Sequence, residues 1–196
     1  MPRIIDYAIV LKTLTAEGMR CNYHNGGAFG FGPEAGALVR GWIGPADATI
    51  LANLRPMLRQ VSPPYEVNLA QSAASAWQDY LPGALWAMPA SHWAYELSHG
   101  SGGWLAEAVT NLGLDCGDLA DRTTAAAIEF LPAETGEFRQ FAQRLLEELS
   151  GSDFVLAFSG RRTICTLHHH KQLWWTTCNP TAAQGLAVLV PAVPVL

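Results

Sequence analysis

Charged residues, and lysine above all, are scarce in this chain of 196 residues. Only 15% of the residues are charged, the formal net charge is −5, and Lys12 and Lys171 are the only lysines. A chain without a basic field cannot neutralise a phosphate backbone, so the composition argues against nucleic acid as a partner. Hydrophobic residues make up 49% of the chain, which is enough for a core that needs no disulfide or structural metal.

Long apolar runs are also lacking. No apolar stretch reaches the roughly 18 residues needed to cross a bilayer. The apolar run at residues 4–11 is interrupted by Asp6 and has no small-residue cleavage site after it, so it makes a poor signal peptide. We therefore expect a cytoplasmic protein that does not engage a membrane. The few cysteines lie far apart, which favours reduced thiols over a disulfide framework. They are Cys21, Cys116, Cys165 and Cys178.

Helical and strand-like patterns alternate along the chain. A helical pattern at 137–149 lies between strand-like runs at 124–131 and 154–158, which predicts a β-α-β unit. Two tight reversals follow and predict a C-terminal antiparallel meander, giving β-α-β-β-β over 124–178. The fold class is therefore α/β or α+β: one compact domain of residues 1–196 with a mixed sheet and helices packed on it. Any division would fall near 82–90. Further strands are predicted at 4–11, 37–43 and 84–88, and helices at 50–61, 69–80, 91–98 and 104–112.

Three consecutive histidines, His168 to His170, lie between two strand-like runs. A turn at His170-Lys171 would place Cys165 opposite Thr176. On an extended strand Cys165 and His169 would then be about 13 Å apart, too far to share one ion. His168 and His170 point the same way and could chelate zinc with help from elsewhere. The candidate metal ligands are His168, His170, Cys165 and Cys178. The alternative is a surface hairpin with solvated imidazoles.

A glycine-rich loop at 21–32, within a stretch at 15–34 that is expected to be irregular, combines ligand-binding side chains with glycines that let a backbone approach a ligand closely. Its glycine spacing does not match a dinucleotide fingerprint, and no Gly-Lys-Ser/Thr closes a P-loop. The candidate ligand-binding residues here are Cys21, His24, Gly26 and Gly27. The alternative is a structural loop with glycines at its turns.

A third candidate site lies in an aromatic region. His92, Glu96 and His99 recur at spacings of three and four, so on one helix they share a face, where Glu96 could orient an imidazole for acid–base catalysis. The spacing does not match the His-Glu-x-x-His zinc motif. The next segment offers free amides at a helix start, which could hold an anion. Its candidate residues are Ser101, Gly102 and Gly103. The alternative is an amphipathic helix that leaves the two histidines and Glu96 in water.

Three functions remain open from the sequence. The leading hypothesis is a protein that binds a small polar or anionic ligand where the loop at 21–32 meets the corner at 92–104, acting in one version as an acid–base enzyme. The second is a non-catalytic interaction module or homodimer anchored by Trp174 and Trp175, which would use some of the seven tryptophans at an interface. The third is a zinc-dependent hydrolase using the histidine hairpin.

Overall fold

Short strands flanking amphipathic helices give the chain its α/β architecture. The computed structural model describes residues 1–22, 28–32, 36, 39–45, 58–100, 103–121, 125–187 and 192–194. The strands are β1 (Arg3–Asp6), β2 (Met19–Asn22), β3 (Ala28–Phe31), β4 (Val39–Pro45), β5 (Leu58–Val61), β6 (Leu85–Pro89), β7 (Ala125–Phe130), β8 (Phe154–Phe158), β9 (Thr163–His168), β10 (Gln172–Thr177) and β11 (Ala192–Pro194). The helices are α1 (Tyr7–Ala16), α2 (Tyr65–Tyr80), α3 (Trp93–Tyr95), α4 (Trp104–Asn111), α5 (Cys116–Ala120), α6 (Thr135–Glu148) and α7 (Pro180–Leu186). A π-helical turn (Glu96–Gly100) continues α3, and a 3-10 turn (Pro132–Glu134) precedes α6.

One large sheet organises the described part of the chain. Its strand order is β1-β7-β6-β8-β9-β10-β4-β11, and β5 pairs with β4. The β4–β5 pair is parallel, whereas the pairs along the main path are antiparallel. β2 and β3 form a separate hairpin. The predicted mixed sheet is confirmed, and β8, β9 and β10 are the predicted antiparallel meander.

The predicted β-α-β unit is present with another strand inserted into it. β6 lies between β7 and β8 and is antiparallel to both, so β7 and β8 run parallel to each other without pairing. All five residues of β6 are buried, which suits a strand with neighbours on both edges and layers on both faces. Residues 85–89, the middle of the region 82–90, therefore lie inside the sheet.

The two faces of the sheet belong to two hydrophobic clusters, because alternate residues of a strand point to opposite sides. In β8, Phe154, Leu156 and Phe158 belong to the first cluster, together with side chains of α2, α4, α6 and α7. Val155 and Ala157 belong to the second, with Val10 and Leu14 of α1 and Met19 of β2. Helix α6 is held edge to face where Phe138 meets Trp77 of α2, with ring centroids 5.4 Å apart.

Two predicted elements are wrong in part. The strand predicted at 4–11 ends at Asp6, because the Asp6 carboxylate accepts a hydrogen bond of 2.6 Å from the Ala8 N–H and caps α1. The helix predicted at 50–61 is replaced at its end by β5, whose residues Leu58 to Val61 pair with β4. Residues 50–57 lie outside the described part of the chain. No helix of the described residues is long and apolar enough to cross a membrane.

The contact between α7 and α2 leads to a first prediction. A Cβ at Gly185 would lie 2.7 Å from Cγ of Tyr80, whereas a Cβ at Gly136 in α6 would meet nothing within 4 Å. Gly185→Ala is expected to lower the free energy of unfolding by about 1–3 kcal/mol, because overpacking outweighs the gain in helix propensity. Gly136→Ala, the matched control, should raise it by up to about 1 kcal/mol. Urea unfolding measures both, and equal stability of the two variants would contradict the packing argument.

Candidate functional site

The histidine hairpin has a three-residue turn. His168 ends β9 and pairs with Gln172 at the start of β10, and Cys165 pairs with Trp175. Lys171 adopts φ 57°, in the left-handed region, which is typical of a hairpin whose type I turn is followed by one left-handed residue. The predicted register, with Cys165 opposite Thr176, is therefore wrong by one residue.

The register separates the cysteines from the histidines. Cys165 is fully buried and belongs to the first cluster. Burial raises the pKa of its thiol well above the ordinary value. Cys178 lies at the far end of the hairpin, where its Sγ donates to the Arg162 carbonyl at 3.6 Å. Burial also raises the pKa of the Cys178 thiol. Of the four predicted ligands, the structure brings together only His168 and His170.

The three imidazoles themselves form a compact histidine cluster, His168 to His170. Their ring centroids are 4.3 Å apart for His168 and His169, 4.0 Å for His169 and His170, and 4.7 Å for His168 and His170. One nitrogen of each ring lies within 4.8 Å of the other two. His168 also stacks on Trp174, with ring centroids 4.6 Å apart and an interplanar angle of 6°. Since the turn starts at His169, the chain curls the three rings together instead of extending them along a strand.

Asp153 completes the cluster, and sequence reasoning missed it. Its Oδ1 accepts the backbone N–H of His169 at 3.1 Å and lies 2.8 Å from His169 Nδ1. Because a carboxylate only accepts, Nδ1 carries a proton, and in the neutral ring Nε2 of His169 keeps its lone pair. Asp153 Oδ2 is 3.9 Å from His168 Nε2. The available signal was the strand register: once Phe154 is paired with Leu167, Asp153 must lie beside the last residue of β9.

The remaining polar atoms of the cluster are less well satisfied. His168 Nδ1 accepts the His170 backbone N–H at 3.2 Å. His170 Nδ1 is buried and has no hydrogen-bond partner among the described residues. Burial, reinforced by the neighbouring imidazoles and opposed by Asp153, lowers the pKa of His168 to about 4. Burial also lowers the pKa of His170. Both rings are therefore neutral at pH 7.

Glu96 lies in the corner formed by α3 and the π-helical turn, and it is fully buried. Its carboxylate accepts hydrogen bonds from Ser91 Oγ and, at 2.9 Å, from Ser152 Oγ. The expectation that an amphipathic helix leaves Glu96 in water is therefore wrong. His92 Nδ1 accepts the Tyr95 N–H at 3.0 Å and caps α3. The predicted Glu96–His92 pair is not among the hydrogen bonds found in the described residues.

Several predicted residues lie wholly or partly outside the described residues. Of the anion-binding segment, Gly103 is described and caps α4 with φ 93°. The described strands of the N-terminal loop pack through Met19 and Phe31 into the second cluster. Trp93 packs into the first, so these strands and Trp93 lie on opposite faces of the sheet. His24, Gly26, Gly27, Ser101, Gly102 and the side chains of Cys21 and His99 lie outside the described part.

An open cleft joins the Glu96 corner to the histidine hairpin. Its volume is about 300 Å³, and it is lined by Ala90, Ser91, Tyr95, Glu96, Gly151, Ser152, Asp153 and His169. Two of the predicted sites therefore meet here, with the loop at 151–153 between them. Among the described residues, the lining contains two carboxyl groups and no lysine or arginine. Such a lining attracts a cation or a neutral polar molecule more than the anion expected from the sequence.

The tryptophans predicted to anchor a partner are not equivalent. Trp175 is only 3% exposed and stacks on Phe158, with centroids 5.6 Å apart, so it is a core residue. Trp174 is half-buried, and its Nε1 donates to Gln172 Oε1 at 2.9 Å. The expectation that both side chains anchor a partner is wrong for Trp175.

Comparisons of the chain with protein-family models, with curated protein sequences and with solved structures found no match.

An ion pair joins the tip of the hairpin to α2, and it gives a second prediction. Lys171 Nζ pairs with Glu66 Oε1, and this hydrogen bond lowers the pKa of Glu66 below its ordinary 4.5. Lys171→Met is expected to cost about 0.5–1 kcal/mol at pH 7. A lowered carboxyl pKa stabilises the fold above the unfolded-state value, so the cost should vanish as the pH falls well below 4.5. Lys12→Met, at an exposed position of α1, is the control. The measurement is urea unfolding at pH 7 and at pH 3. The same loss of unfolding free energy at both pH values would contradict the prediction.

Burial of Cys165 gives a third prediction. Native protein treated with iodoacetamide and mapped by mass spectrometry should carry label on Cys116 and Cys178, which are partly exposed, and not on Cys165, which is buried. Burial both blocks access and disfavours the reactive thiolate. Labelling of Cys165 at the rate of Cys178 in folded protein would contradict the register that places it in the core.

Proposed function

We propose that the protein binds a small cationic or neutral polar molecule in the cleft and acts on it by acid–base chemistry through His169. The observation that carries this proposal is the 2.8 Å hydrogen bond between His169 Nδ1 and Asp153 Oδ1, in a cleft that also contains the buried carboxyl of Glu96. A base held by an orienting carboxylate is the arrangement that general acid–base catalysis requires.

His169 is suited to move a proton. Asp153 binds both its backbone N–H and its ring, so the imidazole is fixed in position and in tautomer. The unprotonated Nε2 can accept a proton from a substrate hydroxyl, amine or water, and the charge that forms on the ring is stabilised by Asp153. Asp153 is thus a positioning residue, and His169 is the group that meets the substrate.

Glu96 would select the ligand. Two serine hydroxyls, those of Ser91 and Ser152, hold its carboxylate in place, so the group is preorganised before a ligand arrives. A carboxylate removed from water and close to the cleft favours an ammonium or a hydrogen-bond donor. The volume of about 300 Å³ is at the small end of the range for ligand pockets. The proposed ligand is therefore a small amine or hydroxyl compound.

The ligand class can be tested by ligand-observed NMR with three sets of fragments matched in size: cationic, neutral and anionic. We expect cationic or hydroxyl-rich fragments to bind wild type, and to bind Glu96→Gln at least ~10-fold more weakly because the negative charge is lost. Glu107→Gln, at an exposed position of α4, is the control and should bind like wild type. A preference for anionic fragments, or equal binding by Glu96→Gln, would contradict the proposal.

The catalytic step can be tested on a pair of p-nitrophenyl esters, one with a cationic acyl group and one with an anionic acyl group. His169→Gln should lower turnover of the cationic ester by about 10²–10⁴-fold. Asp153→Asn should lower it less and shift the pH profile. His92→Asn, which keeps a side chain able to cap α3, should act like wild type. If His169→Gln hydrolyses the cationic ester as fast as wild type, the acid–base role is excluded.

A further inference from the structure

We propose that the histidine cluster binds one divalent transition-metal ion of the zinc type through one nitrogen from each of His168, His169 and His170. Asp153 supports it from the outer shell. Imidazole nitrogens are the ligands that zinc, copper and nickel prefer, whereas calcium and magnesium prefer oxygen. The site would use the same Nε2 lone pair of His169 as the acid–base step, so that step belongs to the metal-free protein. The metal site does not rest on the ligand or reaction proposed above.

The three imidazoles are close enough to close on one ion. The candidate nitrogens lie within 4.8 Å of one another, whereas a tetrahedral ion with bonds of about 2.0–2.1 Å needs them about 3.4 Å apart. The difference is small enough for side-chain rotation to close. His170 lies in the turn, so its ring can rotate without disturbing the pairing of β9 and β10 or the bond between His169 and Asp153.

His170 supplies an independent indication. Its Nδ1 is buried and has no hydrogen-bond partner among the described residues. Buried polar atoms are nearly always paired, and an exception calls for an explanation such as an ion. A metal bound at this nitrogen would satisfy it. If His168 binds through Nε2, its ring proton moves to Nδ1. Among the hydrogen bonds found in the described residues, coordination then has to break only the one from the His170 N–H to His168 Nδ1.

Asp153 and His169 already have the geometry of an outer-shell pair. Histidines that bind metals usually donate their second ring N–H to a carboxylate, which fixes the ring and makes the coordinating nitrogen more basic. The bond from His169 Nδ1 to Asp153 Oδ1 is 2.8 Å long, and it leaves Nε2 to coordinate. The second carboxylate oxygen lies 3.9 Å from His168 Nε2, so Asp153 also supplies negative charge next to a second ligand.

The surroundings favour a cation. The ammonium of Lys171, the next residue after the cluster, is bound to Glu66 and so does not occupy the place of the ion. Three protein ligands leave a coordination position open, which is typical of catalytic rather than structural zinc. Because His169 lines the cleft together with Glu96, that open position would be accessible from the cleft.

The experiment uses untagged full-length protein, stripped with a chelator and dialysed. Zinc chloride is titrated by calorimetry, and bound metal is counted by inductively coupled plasma mass spectrometry. We expect one zinc per chain with a dissociation constant below about 1 μM. His168→Gln and His170→Gln should weaken binding at least ~100-fold, and Asp153→Asn about 10–100-fold. Cys178→Ser and His92→Asn should bind like wild type. Unchanged affinity in His168→Gln combined with His170→Gln, or no zinc retained by wild type, would overturn the proposal.

A second measurement needs no substitution. Zinc added to ¹⁵N-labelled wild type should shift the ring nitrogen resonances of the three cluster histidines and leave those of His92 in place. Shifts at His92 alone, or at no histidine, would overturn the site. The two proposals can fail separately: Glu96→Gln should lose cationic fragments and keep zinc, whereas His170→Gln should lose zinc and keep the fragments.

Discussion

The antiparallel pairing of β8 with β9 is the constraint on which the candidate site depends. It sets Phe154 opposite Leu167 and thereby brings Asp153 to the end of β9, where its carboxylate binds His169. The same pairing directs the side chains of Phe154 and Leu167 into the first hydrophobic cluster. A slip of one residue would reverse both faces of the strand at once. The core therefore enforces the register, and the register positions the polar groups.

The polar groups collect at one end of the sheet because they all follow or precede buried strands. Ser91 and Glu96 come after β6, and Ser152 and Asp153 come before β8. Since β6 and β8 are antiparallel, the end of one strand lies beside the start of the other. The loop at 151–153, the π-helical turn and the tip of the histidine hairpin therefore meet at this end of the sheet. Irregular backbone of this kind is where proteins place functional side chains on a rigid scaffold.

Sequence patterns predicted the elements with strong periodicity, such as α6 and β8, and the antiparallel meander around the histidines. They failed where a single residue determines the local backbone. Asp6 ends a strand by capping a helix, and Lys171 lengthens a turn by adopting a left-handed conformation. That added turn residue places Cys165 opposite Trp175 and not opposite Thr176. Asp153 could not be found from spacing, because its contact with His169 arises from strand pairing and not from a motif.

Two hydrogen bonds of the candidate site join residues at very different separations along the chain. The bond between Asp153 and His169 spans 16 residues, whereas the bond between Ser152 and Glu96 spans 56. Closing the shorter loop costs less conformational entropy, and contacts that are local in sequence form more readily during folding. The histidine–aspartate unit can thus organise within the β8–β9 hairpin alone. The cleft is complete only after the distant corner carrying Glu96 has docked against that hairpin.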